Sequence, residues 1–275
     1  MRGRITFIPL ALAAAFMMYQ YFGATKSTNP ETGHVAKVGL SPEQEQTLGL
    51  QSYQEVLSQS ETVQNGPEFD QVMRVVKRLI PATREGGKNF DWKVSVVKSP
   101  QQNAFCLPGG KIVVYTGILP ITRTDSGLAT VLGHEMAHAT SHHGGQRLLR
   151  SEMVQTAMMG TAASLSLSDT DPRKRQAIMG ALGAGAQFGI ILPFSREHES
   201  EADEIGILYM ARAGYDPRES IQFWERMEKV GGSQPPEFMS THPSHGTRIQ
   251  QLQEFMPKAL AEYNAVSDKA SNSSY

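Results

Sequence analysis

Apolar residues recur along this chain in three rhythms, and each predicts a different kind of element. The first is a near-continuous run from residue 5 to 18, carried on by Tyr19, Tyr21 and Phe22, directly after Arg2 and Arg4. A charged start followed by about 18 apolar residues has the layout of an export signal and just reaches spanning length. No small-x-small cleavage site follows, so a signal anchor over residues 1–23 is favoured above a removed signal peptide. With its arginines on the inner side, the rest of the chain is expected outside the cytoplasm, on the periplasmic side of a bacterial cell envelope. Residues 24–40 are rich in Thr, Ser, Asn, Gly and Pro and read as a linker.

The second rhythm is helical. Ser41-Pro42-Glu43-Gln44 offers a cap, a first-turn proline and a capping-box glutamine. A further helix from Pro67 carries Phe69, Val72, Val75, Val76, Leu79 and Ile80 on one face, with Pro81 as its stop. The third rhythm has period two. Phe90, Trp92, Val94 and Val96 alternate with Asp91, Lys93 and Ser95, the mark of a half-buried strand. Two β-prone runs around Pro108-Gly109-Gly110 then make a hairpin. Its second arm, Lys111, Ile112, Val113 and Val114, is expected as an exposed edge that can take up an extended peptide by strand addition.

Helical spacing returns at Leu128, Val131 and Leu132, with Asp125 or Ser126 as candidate cap. Residues 153–193 are rich in Ala, Gly, Met and Leu and predict two helices, 153–167 and 177–192, joined by a charged turn. Packed or surface-associated helices are expected there over a transmembrane pair. The Ser/Asn-rich end, 266–275, is expected to be disordered. One domain over 41–265 is the result, mainly α within an α+β class, with a small antiparallel sheet beside the central helix.

At 275 residues, 40% hydrophobic and 19% charged, the chain can bury a proper core. Its net charge of −1 and lack of a long basic run leave nucleic acid without a binding surface. The lone Cys106 excludes an internal disulfide and reads as a small semi-buried apolar residue.

The chemistry concentrates at His134-Glu135-Met136-Ala137-His138. On a helix, histidines four apart share a face roughly 6 Å apart along the axis, close enough for one metal ion. Glu135, beside that face, is placed to act as general base toward a water on the metal. His142 continues the same face but lies about 12 Å from His134, too far to share the ion; with His143 it reads as a solvent-facing residue at the helix end. The acidic cluster Glu197 to Glu204 offers a third ligand. Glu199 and Asp203 share a face; Glu199 can ligate and Asp203 can accept a hydrogen bond from a ligating histidine. Glu201, about 200° around the helix, is the alternative ligand.

Taken together, Gly133 to His138, Glu199 to Asp203, the Asn103 to Gly110 hairpin, and Thr241-His242-Pro243 followed by Arg248-Ile249 resemble metallopeptidase family forty-eight, a family of gluzincins. The resemblance covers roughly residues 41–256. It implies a zincin-like domain with one Zn²⁺ per chain, held by His134, His138 and Glu199, with Glu135 as base and Asp203 behind the ligands. It also implies that His242 reaches the metal site, to stabilise the oxyanion or to occupy the open position in a self-inhibited state, and that Arg248 ties its loop to the active-site helices. The expected activity is cleavage of protein or peptide substrates, misfolded or unassembled envelope proteins in particular, by a singly anchored or soluble enzyme. A latched or inactive protease holding clients as a chaperone would is the alternative.

Overall fold

A computed structural model describes residues 7–230, 237–242 and 246–272. The chain divides into two compact units. One takes the chain up to Thr28, Val35–Ser41 and His142–His198; the other takes Asn29–His34, Pro42–Ser141 and the chain from Glu199 onward.

The larger unit opens with α2 (Pro42–Ser58), strand β3 (Thr62–Val63) and α3 (Pro67–Ala82). The apolar face of α3 is the one its spacing predicts, with Val72, Val75, Val76 and Leu79 fully buried. Pro81 sits inside its last turn rather than beyond it. Strands β4 (Lys93–Val97), β5 (Ala104–Leu107) and β6 (Lys111–Tyr115) complete a sheet of order β3-β4-β6-β5. Gly109 and Gly110 turn the β5–β6 hairpin with φ of +72° and +84°, a conformation that side chains disfavour.

Two expectations about this sheet are corrected. It is mixed rather than antiparallel, because β4 runs parallel to β6, pairing Val94 with Ile112 and Val96 with Val114. And Lys111, Ile112, Val113 and Val114 are not an edge: β6 lies between β4 and β5, and all four residues are buried. An unbroken apolar run is what a strand covered on both faces requires, whereas an edge keeps polar positions. Lys111 serves the hairpin itself, its Nζ donating to the Gly109 carbonyl at 2.9 Å and to the Asp91 carbonyl. The edge beside the histidine helix is β5.

That helix, α5 (Asp125–Thr140), follows the short α4 (Leu119–Thr122). It is capped by Thr124, whose Oγ1 accepts from the Gly127 amide at 3.0 Å, and not by Asp125 or Ser126. Buried on nearly all sides, α5 is the axis of the unit. It meets α8 (Leu192–Arg212) where glycine faces glycine: a Cβ on Gly133 would stand 2.8 Å from the Gly206 carbonyl oxygen. Helices α9 (Glu219–Val230), α10 (Glu237–Thr241) and α11 (Arg248–Asn272) finish the unit. Residues 266–272 are thus helical rather than disordered, because Leu252, Met256 and Ala259 bury one face of α11 and its pattern runs on.

In the smaller unit, α1 (Ile8–Gly23) is followed by β1 (Thr25–Thr28) and β2 (Val35–Val38), an antiparallel pair. The stretch read as a linker is therefore a hairpin. Its β-branched Thr and Val residues supply strand propensity, and Asn29 Oδ1 organises the turn by accepting from the amides of Glu31 and Thr32. Helix α6 (His143–Ser166) and α7 (Pro172–Ala186) bracket the charged turn. Asp171 caps α7 through the amides of Arg173 and Lys174. From Pro172 the helix continues through a π-helical stretch, Gln187–Ile191, into α8, making one helix of 41 residues where an end near 192 was expected.

Candidate active site

Every residue singled out for metal chemistry lies in the larger unit, and the fold brings them together. His134 and His138 come from α5, Glu199 and Asp203 from α8, His242 from the end of α10, and Arg248 from the start of α11. The close glycine crossing lets two backbones approach so that ligands from both helices meet.

His134 Nε2 lies 3.1 Å from His138 Nε2 and 3.3 Å from Glu199 Oε2. Glu199 Oε1 is 3.3 Å from His138 Nε2. The Nδ1 of His242 stands 3.2 Å from His134 Nε2 and from both Glu199 oxygens. Four ligand atoms thus converge within 4.8 Å of one another. Donors set tetrahedrally at ~2.1 Å from a common centre are ~3.4 Å apart, so this set fits zinc. His134 and Glu199 are buried, while the His138 and His242 side chains are 11% and 12% exposed.

Behind the ligands sits a buried charge network. Asp203 Oδ1 accepts from His134 Nδ1 at 2.9 Å, which keeps the ring proton there and turns the Nε2 lone pair toward the cluster. Arg248 is fully buried; its Nη2 donates to Asp203 Oδ1 at 2.8 Å, and its Nε is 2.7 Å from Oδ2. The same Nη2 reaches Glu199 Oε2 at 3.3 Å, and the guanidinium stacks 3.5 Å from the centre of the Trp224 ring. Burial disfavours the charged form of His134, but its bonds to Asp203 and Glu199 outweigh that and raise the imidazolium to about 9 in the metal-free protein. Burial also opposes ionisation of Glu199 and Asp203. Both carboxyls are nevertheless held low, Glu199 by the three histidines and Asp203 by Arg248 and His134.

Glu135 is buried beside the ligands, with Oε1 3.1 Å from His242 Nε2. Burial pushes its carboxyl up, against the pull of His242, of His134 and of the Cys106 amide, which donates to it. Strand β5 is thereby tied to α5. Its Ala104 amide is taken by the Asn103 side chain at 2.9 Å. Burial raises the Cys106 thiol well above its usual range, which disfavours the thiolate.

Several readings from spacing differ from what the fold does. Glu201 turns away from the cluster and accepts from Thr32 Oγ1 at 2.7 Å. α5 stops at Thr140, and His142 adopts a left-handed conformation that starts α6. His143 is buried, its ring stacked parallel on His198 at 3.9 Å, rather than facing solvent. Trp224 and Phe238, which no motif marks, pack edge-on to His134 at 6.2 Å. Phe238, four residues before His242, had a readable signal; Trp224 had none beyond the amphipathic pattern of α9. Pro243 lies outside the described residues.

An H-E-x-x-H helix with a glutamate third donor and a carboxylate behind it defines a gluzincin-type metallopeptidase site. The sequence profile of peptidase family M48 matches residues 67–256, and the chain belongs to that family. It is 39% identical over 191 residues to the mitochondrial metalloendopeptidase OMA1 of Schizosaccharomyces pombe, covering 68% of this chain and 53% of that protein. The human mitochondrial metalloendopeptidase OMA1 is 31% identical over 263 residues, 91% of this chain and 50% of the relative. The beta-barrel assembly-enhancing protease of Yersinia pestis is 29% identical over 223 residues, 80% and 45% respectively. The chain thus spans about half the length of these curated relatives. The expected placement on the periplasmic side of a bacterial envelope is corrected by these relatives. Those of higher identity are mitochondrial, and the bacterial protease is more distant.

Proposed function

We propose that this chain is a zinc-dependent metalloendopeptidase that cuts extended segments of unfolded or unassembled proteins. The observation that carries the reading is the convergence of His134, His138 and Glu199 at tetrahedral spacing beside the buried Glu135. These three residues hold the ion, and Asp203 and Arg248 position them. When bound, zinc supplies Lewis acidity and lowers the pKa of a water toward ~7. Glu135, its carboxyl raised by burial, takes the proton of the attacking water and delivers it to the leaving amine. The Cys106 amide keeps the Glu135 carboxylate facing the cluster. An extended peptide lies along β5, the strand that borders α5. The apolar α1 holds the enzyme at a membrane.

A latched resting state is the second reading, and His242 favours it. The ring fills the fourth corner of the cluster and at the same time contacts Glu135. Water and substrate reach the site only once that ring withdraws.

Zinc content and casein cleavage of wild type, Glu135→Gln and Glu199→Ala test the assignment. One zinc per chain, lost only in Glu199→Ala, with cleavage lost in both variants, is the expected outcome. Wild-type cleavage by Glu135→Gln would refute it.

A further inference from the structure

We propose that Asn29, Glu31 and Thr32 are positioning residues of the zinc site: the short segment that carries them straps the end of α5 to α8 and sets the spacing of His134 and His138 from Glu199. The inference rests on the reading of those three residues as the zinc ligands. Donors drawn from two helices hold one ion only if the helices keep their separation and rotation to within about 0.5 Å. The Gly133–Gly206 crossing brings backbone against backbone, a Cβ on Gly206 standing 2.9 Å from the His134 amide nitrogen. A contact made without side chains has no ridge to lock into a groove. It permits close approach, and register must be set elsewhere.

Beyond the metal cluster the two helices meet again where Thr140 Oγ1 and the Tyr209 hydroxyl are 2.9 Å apart. The segment Asn29–His34 closes over this junction. A Cβ on Gly86 would stand 3.3 Å from Thr140 Cβ, 3.4 Å from the Tyr209 hydroxyl oxygen and 3.7 Å from Pro30 Cγ, so all three pack around one point.

From there the segment holds both helices by side chains. Asn29, only 8% exposed, donates from Nδ2 to Ser141 Oγ at 2.7 Å, and Ser141 closes α5 three residues after His138. Thr32 Oγ1 donates at 2.7 Å to Oε1 of Glu201, two residues after Glu199 on α8. Glu31 takes the far end of α8: its two oxygens accept from Nη1 and Nη2 of Arg212, both at 2.7 Å. Such a paired contact fixes orientation as well as distance. The two side chains are 7% and 8% exposed, so salt and water screen them little. His34 also reaches Glu201, at 3.2 Å, but its side chain is 49% exposed and a contact of that kind holds little. Asn29 Oδ1 accepts from the amides of Glu31 and Thr32, so the three grips move as one body. One segment thus holds α5 just past one ligand, α8 just past another, and α8 again at its end.

The test uses the full chain in mild detergent, stripped of metal and checked for folding by circular dichroism. Zinc affinity is read by competition with a chromophoric chelator, and ligand geometry by the visible absorption of cobalt(II) loaded in place of zinc. Glu31→Gln and Thr32→Val should each weaken zinc about tenfold, the low end for partners behind a metal site, and shift the cobalt spectrum. Thr32→Ser keeps the hydroxyl and should restore both. Tyr53→Phe, which loses a 2.6 Å contact with Ser95 Oγ away from the strap, should lower the melting temperature and leave both readouts unchanged. Zinc binding within twofold of wild type and an unchanged cobalt spectrum in Thr32→Val or in folded Glu31→Gln would overturn the proposal while leaving the ligand assignment intact. Equal weakening by Tyr53→Phe would overturn it as well, since any loss of stability would then suffice. If Glu31→Gln does not fold, Thr32→Val, which loses one hydroxyl, decides alone. A wild-type chain that binds no zinc would remove the ligand assignment, and the proposal with it.

Discussion

Asp203→Asn separates a working metal site from a mere coincidence of residues. The substitution keeps the shape of the side chain and removes one buried negative charge that serves two partners at once, His134 at 2.9 Å and Arg248 at 2.8 Å. Stripping one member from a buried ion pair costs about 3–5 kcal/mol. Arg248 keeps Glu199 at 3.3 Å and the Trp224 face, so the low end, about 3 kcal/mol, is expected for the metal-free protein. Zinc affinity suffers separately, because the amide no longer enforces the Nδ1 proton of His134. A loss of about 10–100-fold is expected, equal to about 1.4–2.7 kcal/mol. Denaturant unfolding with chelator present reads the first quantity; competition with a chromophoric chelator reads the second. Arg248→Met in the Asp203→Asn background should restore at least ~1 kcal/mol, since the stranded cation is gone. An Asp203→Asn protein with wild-type zinc affinity and stability within ~0.5 kcal/mol of wild type would refute the reasoning.

Glu135→Gln should keep its zinc and lose about 10²–10⁴-fold in kcat, read by metal analysis beside peptide cleavage. His242→Ala should raise basal cleavage, because the ring no longer fills the fourth corner; a fall in kcat would instead assign the ring to the reaction. Since His134 is raised to about 9 without metal, zinc must displace its proton. Apparent zinc affinity should therefore climb about tenfold per pH unit between pH 7 and 9 and then level off. The metal-free protein should behave oppositely: the contribution of the charged His134, about 3 kcal/mol, is complete below its unfolded value near 6.5 and lost as pH rises through 9. Gly133→Ala should lower stability despite the better helix propensity of alanine, because its Cβ meets the Gly206 carbonyl at 2.8 Å. A thermal melt at or above the wild-type value would show that the helices move apart freely.

What the sequence revealed about the site was local. The spacing of His134 and His138, and of Glu199 and Asp203, is a property of one helix each, so a period of 3.6 suffices to read it. Arg248 was placed only by resemblance, and its complete burial rests on a contact with Trp224 that no pattern announces. Strand order was hidden for the same reason. The alternation of a run tells which face is covered but not which neighbour sits beside it, so β6 read as an edge although its unbroken apolar run fits a central strand. The hairpin over 25–38 escaped because its polar composition resembles a linker, and its turn depends on Asn29. His143 reads as solvent-facing because its partner, His198, is 55 residues away in sequence and adjacent to it in space.

The outer edge of β5 has a consequence for solubility. An exposed strand normally offers both donors and acceptors and so invites copies of itself to add on. Here the alternation of the β5–β6 ladder turns Ala104 and Cys106 outward, and both of their amides are already engaged, one by Asn103 and one by Glu135. What remains is a row of carbonyls. Another β5 laid alongside would present the same row, acceptor against acceptor, and gain no ladder. A flexible polypeptide with its amides free would. The edge is thus closed to its own kind, and under the proposed reading of β5 as the peptide-binding strand it stays open to a client.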